Sequence, residues 1–157
     1  MRALVFALAG VCVLGCAASA APTAAAEATA IASCIANAEG LAGRRACIGS
    51  VNLSCQDEDN RGATTAGMVM CAERERAQWA AIRDAAAASL AAQESPTQRA
   101  ARARATAAHA AWLQERCAYD ASLYEGGSMA NYSAAACAMG ETAEFALILH
   151  GRTLSLP

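Results

Sequence analysis

The chain has 157 residues and a net charge of −2, and its 12 basic residues are all arginine. It contains no basic run of the kind that a nucleic-acid groove needs, so nucleic acid is not expected as a partner. Hydrophobic residues make up 56%, but alanine supplies much of this share and aromatic residues only 4%. A core of such small side chains is expected to depend on covalent cross-links.

Residues 1–20 predict a signal peptide. Arg2 precedes an apolar run that is shorter than the roughly 20 residues needed to cross a bilayer as a helix. Two cleavage sites remain open. Residues 18–20, Ala-Ser-Ala, suit ordinary signal peptidase, whereas residues 13–16, Val-Leu-Gly-Cys, resemble a bacterial lipobox, in which Cys16 would carry a lipid. Both predict export, and a lipid on Cys16 is the one membrane contact expected.

Export determines how the eight cysteines are interpreted. Cys12 and Cys16 fall in the signal region, and six remain for the folded protein: Cys34, Cys47, Cys55, Cys71, Cys117 and Cys137. An even number in an oxidising compartment predicts disulfides, whose connectivity the spacing alone does not determine. There is no Cys-x-x-Cys pair and the two histidines are far apart in sequence, so neither a metal ion nor another cofactor is expected.

The N-terminal part of the exported chain is expected to be loosely organised. Residues 21–30 are rich in alanine, proline and threonine and predict a flexible linker, followed by a single domain over 31–157. Residues 31–38 predict a short helix, and 44–48 a further helical turn. Residues 51–62 are polar and acidic without periodicity, which predicts an exposed loop. Their acids lack the ligand spacing of a calcium loop.

A long amphipathic helix follows, from about residue 64 to 93. Thr64 or Thr65 is expected to cap its first turn. The apolar stripe runs at helical spacing and carries an acid, Glu75, one turn before Trp79. Because a buried, unpartnered carboxylate would cost several kcal/mol, Glu75 is predicted to pair with Arg116 on the next helix.

Two more helices are predicted, over residues 98–124 and 129–149, separated by a glycine-rich break. The helix over residues 98–124 has an apolar stripe at helical spacing, made of Ala101, Ala105, Ala108, Trp112, Glu115, Tyr119 and Leu123. Trp79 and Trp112 are therefore expected to fill the core, and His109 is expected to face solvent. The fold class is therefore all-α: a small disulfide-stapled helical bundle of three main helices plus a short N-terminal helical segment.

Enzymatic activity is not expected. A nucleophilic serine or cysteine would need a nearby histidine with an orienting acid, and no such arrangement or nucleophile elbow is present. Glu73 and Glu75 lie two residues apart on a helix and point in different directions, so they do not form a catalytic carboxylate pair. No catalytic residue is assigned.

Several motifs in order resemble the lysozyme-inhibitor LprI-like N-terminal domain family. They are Thr65-x-x-Met68-x-x-Cys71 with Glu75 and Trp79, Ala111-Trp112-Leu113-x-x-Arg116-Cys117, Gly126-Gly127-Ser128, and Cys137-x-x-x-x-Thr142-Ala143-Glu144. Two departures stand out. Cys117 follows Arg116 directly, where the family usually has further residues between them, and Phe145 occupies a position where an arginine is usual.

The resemblance implies a non-enzymatic protein of the bacterial envelope, periplasmic or lipid-anchored. It implies inhibition of c-type lysozyme; the alternative is a structural or accessory module that binds another envelope protein. Five residues are expected to offer a surface to such a partner: Asp57, Glu58, Asp59, Glu125 and Ser128.

The resemblance also narrows the disulfide map. Shorter family members carry the counterparts of four of the cysteines, which implies that the extra two, Cys34 and Cys47, bond to each other. Local closure then favours Cys55 with Cys71 and Cys117 with Cys137, with a Cys71–Cys117 bond as the rival.

Overall fold

The computed structural model describes residues 24–155, and these residues form helices and no strand. The helices are α1 (Ala24–Asn37), α2 (Gly40–Arg45), α3 (Ser50–Asp57), a 3₁₀ segment (Glu58–Ala63), α4 (Thr65–Gln93), α5 (Pro96–Ser122) and α6 (Ser128–Thr153). The all-α prediction is confirmed. The expected signal peptide and Cys16 lie outside the described residues. Between residues 24 and 155, no helix combines the length and the apolar character that a membrane span requires.

The N-terminal part is more ordered than the sequence predicted. Residues 24–30, expected as a flexible linker, form the first two turns of α1. Alanine is the best helix former, which favours this start. Glu27 then fixes it, because its buried carboxylate forms an ion pair with Arg74 of α4. The ordered domain therefore begins before residue 31.

The prediction of an exposed loop over residues 51–62 is also wrong. Its first half is α3, whose residues Val51, Asn52 and Cys55 are buried. The few apolar residues in this polar stretch do not repeat at helical spacing, so the sequence pattern does not indicate a helix. The helix is stabilised by tertiary contacts, which a local pattern does not reveal. Gly49 precedes α3 with a φ of 95°, a conformation that favours glycine.

Helix α4 begins and ends where the sequence predicts. Thr64 caps it, with its side-chain oxygen accepting from the backbone N–H of Gly67 at 3.0 Å. After Gln93 the chain turns, and Ser95 forms a capping box with Gln98 at the start of α5. The buried face of α4 follows the predicted stripe: Cys71, Ala72, Glu75, Trp79, Ala86 and Leu90.

The core lies between α4 and α6, which run parallel to each other. Ala72 packs with Ala135 and Met139 in the first half of both helices. Trp79, fully buried, packs with Ala143 and Leu147 further along, together with Ile31 of α1. A last cluster joins Ala86 and Leu90 to Phe145 and Leu149. The alanines allow close approach of the helices, and Trp79 supplies the volume.

Helix α5 runs antiparallel to α6 and packs mainly against it. Its predicted apolar stripe is wrong: Ala101, Ala105, Ala108, Trp112, Glu115, Tyr119 and Leu123 are all exposed. The face towards α6 instead carries His109, which stacks on Phe145, and Cys117, which is the one buried residue of this helix. Trp112 therefore does not fill the core.

Three disulfides join the helices, in the pairs that the sequence analysis expected. Cys34–Cys47 links α1 to the turn after α2, Cys55–Cys71 links α3 to α4, and Cys117–Cys137 links α5 to α6. The rival bond between Cys71 and Cys117 is absent from the structure. Each bridge closes a short loop, for which chain entropy gives about 3 kcal/mol.

Candidate partner-binding end

Two candidate surface segments meet at one end of the molecule. Helices α4 and α6 begin side by side there, and the Thr65 hydroxyl donates to the Ser128 hydroxyl at 3.4 Å. The 3₁₀ segment leads into α4, and the turn after α5 leads into α6. Residues that are far apart in sequence therefore share one surface. We call it the acidic end, formed by Asp57, Glu58, Asp59, Glu125 and Ser128.

Two of the three acids at the junction of α3 and the 3₁₀ segment face solvent. Asp57 is exposed, and the Asp59 side chain is 87% accessible. Asp59 and Asn60 have φ values of 50° and 59°, in the left-handed region that Asp and Asn tolerate better than most residues. This conformation forms the tip of the turn.

Glu58 has a different environment from its neighbours. Its side chain is 17% accessible, and Oε2 accepts from Arg61 at 2.8 Å and from Arg74 at 3.0 Å. Arg74 also pairs with buried Glu27 of α1. Glu58 therefore fixes the turn to α4 and is less available to a partner than Asp57 or Asp59.

The second segment is the turn between α5 and α6. Glu125 is exposed and has a φ of 49°, followed by Gly126 at 79°. The left-handed region is costly for a residue such as glutamate, and strain of this kind clusters at functional sites. The turn closes through a hydrogen bond from the Gly127 N–H to the Tyr124 carbonyl at 2.9 Å.

An open groove of about 890 Å³ starts beside these turns and runs between α4, α5 and α6. Thr65 and Ser128 lie at its mouth, and small or apolar side chains such as Val69, Ala118 and Ala135 form its walls. Glu73 contributes an acid to the lining. The groove has the chemistry of a surface that receives a protruding apolar group with a basic neighbour.

The buried acid Glu75 has an architectural role. Its Oε1 accepts from the Gly49 N–H at 2.6 Å and from the Trp79 indole N–H at 2.8 Å, and its Oε2 accepts from the Asn52 N–H at 2.7 Å. The carboxylate thus satisfies the free amides at the start of α3, where the helix dipole also favours an anion.

The predicted pairing of Glu75 with Arg116 is therefore wrong. Arg116 forms an ion pair with Asp120, one turn further along α5. The error has a physical cause. The sequence shows that a buried acid needs donors, but backbone N–H groups are as suitable as an arginine and have no signature in composition.

His109 also differs from its predicted solvent-facing position. Its ring stacks on Phe145 of α6, with centroids 4.2 Å apart. Burial is the main cause that lowers the pKa of His109 below its ordinary value of 6.5, and Arg83 adds to the effect while Glu141 opposes it. Phe145 thus has a packing role, as a member of the core cluster with Leu90 and Leu149 and as the stacking partner of His109.

Among residues 24–155, no group of three or more His, Cys, Asp or Glu side chains is arranged to hold a metal ion. What the structure defines is a small helical domain with three disulfides, a buried anion at its centre and two acidic turns at one end. The family model for lysozyme inhibitor LprI matches residues 55–148, and the chain belongs to this family. No curated protein and no solved structure matches the chain.

The family match begins at Cys55, the last buried residue of α3, and ends within α6. Helices α1 and α2 and the Cys34–Cys47 disulfide lie outside it. These N-terminal elements nevertheless contribute Ile31 and Ile35 to the core around Trp79. They are an integral part of this domain.

Proposed function

We propose that this protein is an exported, non-enzymatic inhibitor of c-type lysozyme that binds the enzyme through the acidic end. Family membership supports the activity. The observation that carries the choice of surface is the convergence of two acidic turns, with exposed Asp59 and Glu125, beside an open groove. A cationic enzyme is attracted to such a surface, and a protruding turn can enter its cleft.

The compartment is part of the proposal. Three disulfides suit a protein that folds in an oxidising compartment, such as the periplasm of a bacterial envelope. There the inhibitor would protect peptidoglycan. Labelling with radioactive palmitate tests whether Cys16 carries a lipid. Labelled wild type and unlabelled Cys16→Ala support a tether; an unlabelled wild type whose mature N-terminus is Ala21 supports simple secretion.

A cell-wall lysis assay with the purified oxidised protein tests the activity. A molar excess is expected to slow lysis by hen-type lysozyme, and inhibition should weaken as salt rises, because exposed charges are screened. If a large excess leaves lysis unchanged, the inhibitor proposal is wrong and an accessory envelope protein with another partner becomes the better explanation.

A double variant tests the surface. Asp59→Asn with Glu125→Gln removes two exposed charges and is expected to weaken inhibition about tenfold or more, since charge complementarity raises the association rate. The matched control is Glu39→Gln, an exposed acid beside α2 that makes no side-chain cap bond. Equal inhibition by both variants would contradict binding through the acidic end.

A further inference from the structure

Among residues 24–155, one flank of α5 carries several of the large apolar side chains that remain in solvent. Trp112 is 49% exposed, and Tyr119 and Leu123 are each 63% exposed. They lie at helical spacing on one stripe with Ala101, Ala105 and Ala108, which we call the α5 stripe. Ala101 and Ala105 also border an open groove that is lined by side chains of α4 and α6. A helix of 27 residues that buries one residue of its own and exposes such a stripe is typical of a surface that binds a partner.

The side-chain sizes along the stripe suggest which partner. The first half carries only alanines, and the second half carries Trp112, Tyr119 and Leu123. If two α5 helices pack antiparallel around a two-fold axis level with residue 110, Trp112 of one copy faces Ala108 of the other. In the same register Tyr119 faces Ala101. Large side chains thus meet small ones along the contact, which allows close packing of the two helices.

The charges beside the stripe fit the same register. Arg104 and Glu115 lie on the same flank of the stripe, about three turns apart. In an antiparallel two-fold pair each flank meets its own counterpart, so Arg104 of one copy lies beside Glu115 of the other, twice in the dimer. Both side chains are exposed, and neither forms an ion pair within residues 24–155.

From these two kinds of complementarity we propose that the protein forms a symmetric dimer through the α5 stripe, its partner being a second copy of this chain. The acidic ends then lie at opposite ends of the paired helices. A helix of this length spans about 40 Å, so both acidic ends remain open to a larger partner. The dimer is independent of the proposed lysozyme activity.

Sedimentation velocity of the oxidised protein tests the proposal between about 1 µM and 0.5 mM, the range that brackets weak helix-pair association. A rise to twice the monomer mass is expected. Trp112→Glu with Tyr119→Glu should abolish it, and the matched control Leu53→Glu, a similarly exposed apolar residue on α3, should leave it unchanged. A monomer at every concentration, or a dimer that survives the double variant, would overturn the proposal.

A charge reversal tests the register. Arg104→Glu alone and Glu115→Arg alone each place like charges together at two symmetric sites and should weaken the dimer more than tenfold. The double variant exchanges the charges and should restore the affinity to within about threefold. Single variants without effect, or a double variant as weak as the singles, would reject this arrangement. Lysozyme inhibition is expected to stay unchanged in all three, which separates failure of the dimer from failure of the inhibitor proposal.

Discussion

At the scale of single residues, Glu75 stabilises the domain more than its conservative replacement could. Glu75→Gln keeps the size but places an amide N–H₂ against backbone and indole N–H donors. We expect a loss of about 2 to 3 kcal/mol in the free energy of unfolding, because buried donors lose a charged acceptor. Urea unfolding with the disulfides intact measures it.

The matched control is Glu73→Gln, two residues away on the same helix. Glu73 pairs with Arg76 at the surface, where both side chains are more than two-fifths exposed. Exposed pairs contribute at most about 1 kcal/mol. If both variants lose the same stability, the central role assigned to the Glu75 carboxylate is wrong.

His109 makes stability depend on pH. Burial against α6 lowers its pKa below 6.5 in the folded protein, so the unfolded chain takes up a proton more readily than the folded one. Its contribution is therefore fully present above about pH 6.5 and is lost as the pH falls through 6.5 towards the lower folded pKa. Burial also lowers the pKa of His150, which acts in the same direction.

The variant His109→Gln isolates this contribution. It loses the ring stack at every pH, so the informative quantity is the slope of unfolding free energy between about pH 8 and pH 5, where the imidazole titrates. We expect a smaller loss on acidification than in the wild type, with the remainder due partly to His150. An identical slope would show that His109 is not protonated differently in the two states.

At the scale of helices, glycines at two positions of the long helices should respond in opposite directions. A Cβ added to Gly67, near the start of α4, would collide with the carbonyl oxygen of Arg61. A Cβ added to Gly140, within α6, would have no neighbouring atom within 4 Å. Gly67→Ala should destabilise the turn that carries Asp59. Gly140→Ala should stabilise by up to about 1 kcal/mol through helix propensity. Thermal unfolding of both variants tests the pair, and a stabilising Gly67→Ala would contradict the close approach.

The same scale shows how far the sequence determines this fold. Caps and periodicity were sufficient to predict the bounds and the buried face of α4, because large apolar residues on one side of this helix alternate with clearly polar residues on the other. Periodicity failed for α5, where an apolar stripe with Trp112 and Tyr119 is exposed while His109 packs on α6. Periodicity identifies an amphipathic face but does not say which surface covers it.

The individual residues of the candidate site could be predicted from the sequence, but their proximity in space could not. Asp59 and Glu125 stand out in sequence as an acid in a polar stretch and an acid beside glycines. Their convergence depends on the parallel arrangement of α4 and α6, which follows from long-range packing around Trp79. The Glu27–Arg74–Glu58 cluster was missed for the same reason, since it joins three elements distant in the chain.

At the scale of the whole molecule, the disulfide map is itself a prediction for the oxidised protein. Peptide mapping without reduction should recover Cys34 with Cys47, Cys55 with Cys71, and Cys117 with Cys137. A peptide joining Cys71 to Cys117 would contradict the fold, because it would tie α5 to α4. A free thiol at any of the six would weigh against folding in an oxidising compartment.

The disulfide between Cys117 and Cys137 should stabilise α5 more than it stabilises any other helix. Helix α5 buries only Cys117 and packs mainly on α6, whereas α4 and α6 share the core around Trp79. In Cys117→Ser with Cys137→Ser we expect about 3 kcal/mol less stability and faster amide hydrogen exchange across α5, with α4 and α6 still protected. The matched control, Cys34→Ser with Cys47→Ser, should raise exchange in α1 and α2 and leave α5 unchanged. Uniformly faster exchange in both variants would mean that the domain opens as one unit, and that α5 is held by its packing on α6 as firmly as by its bridge.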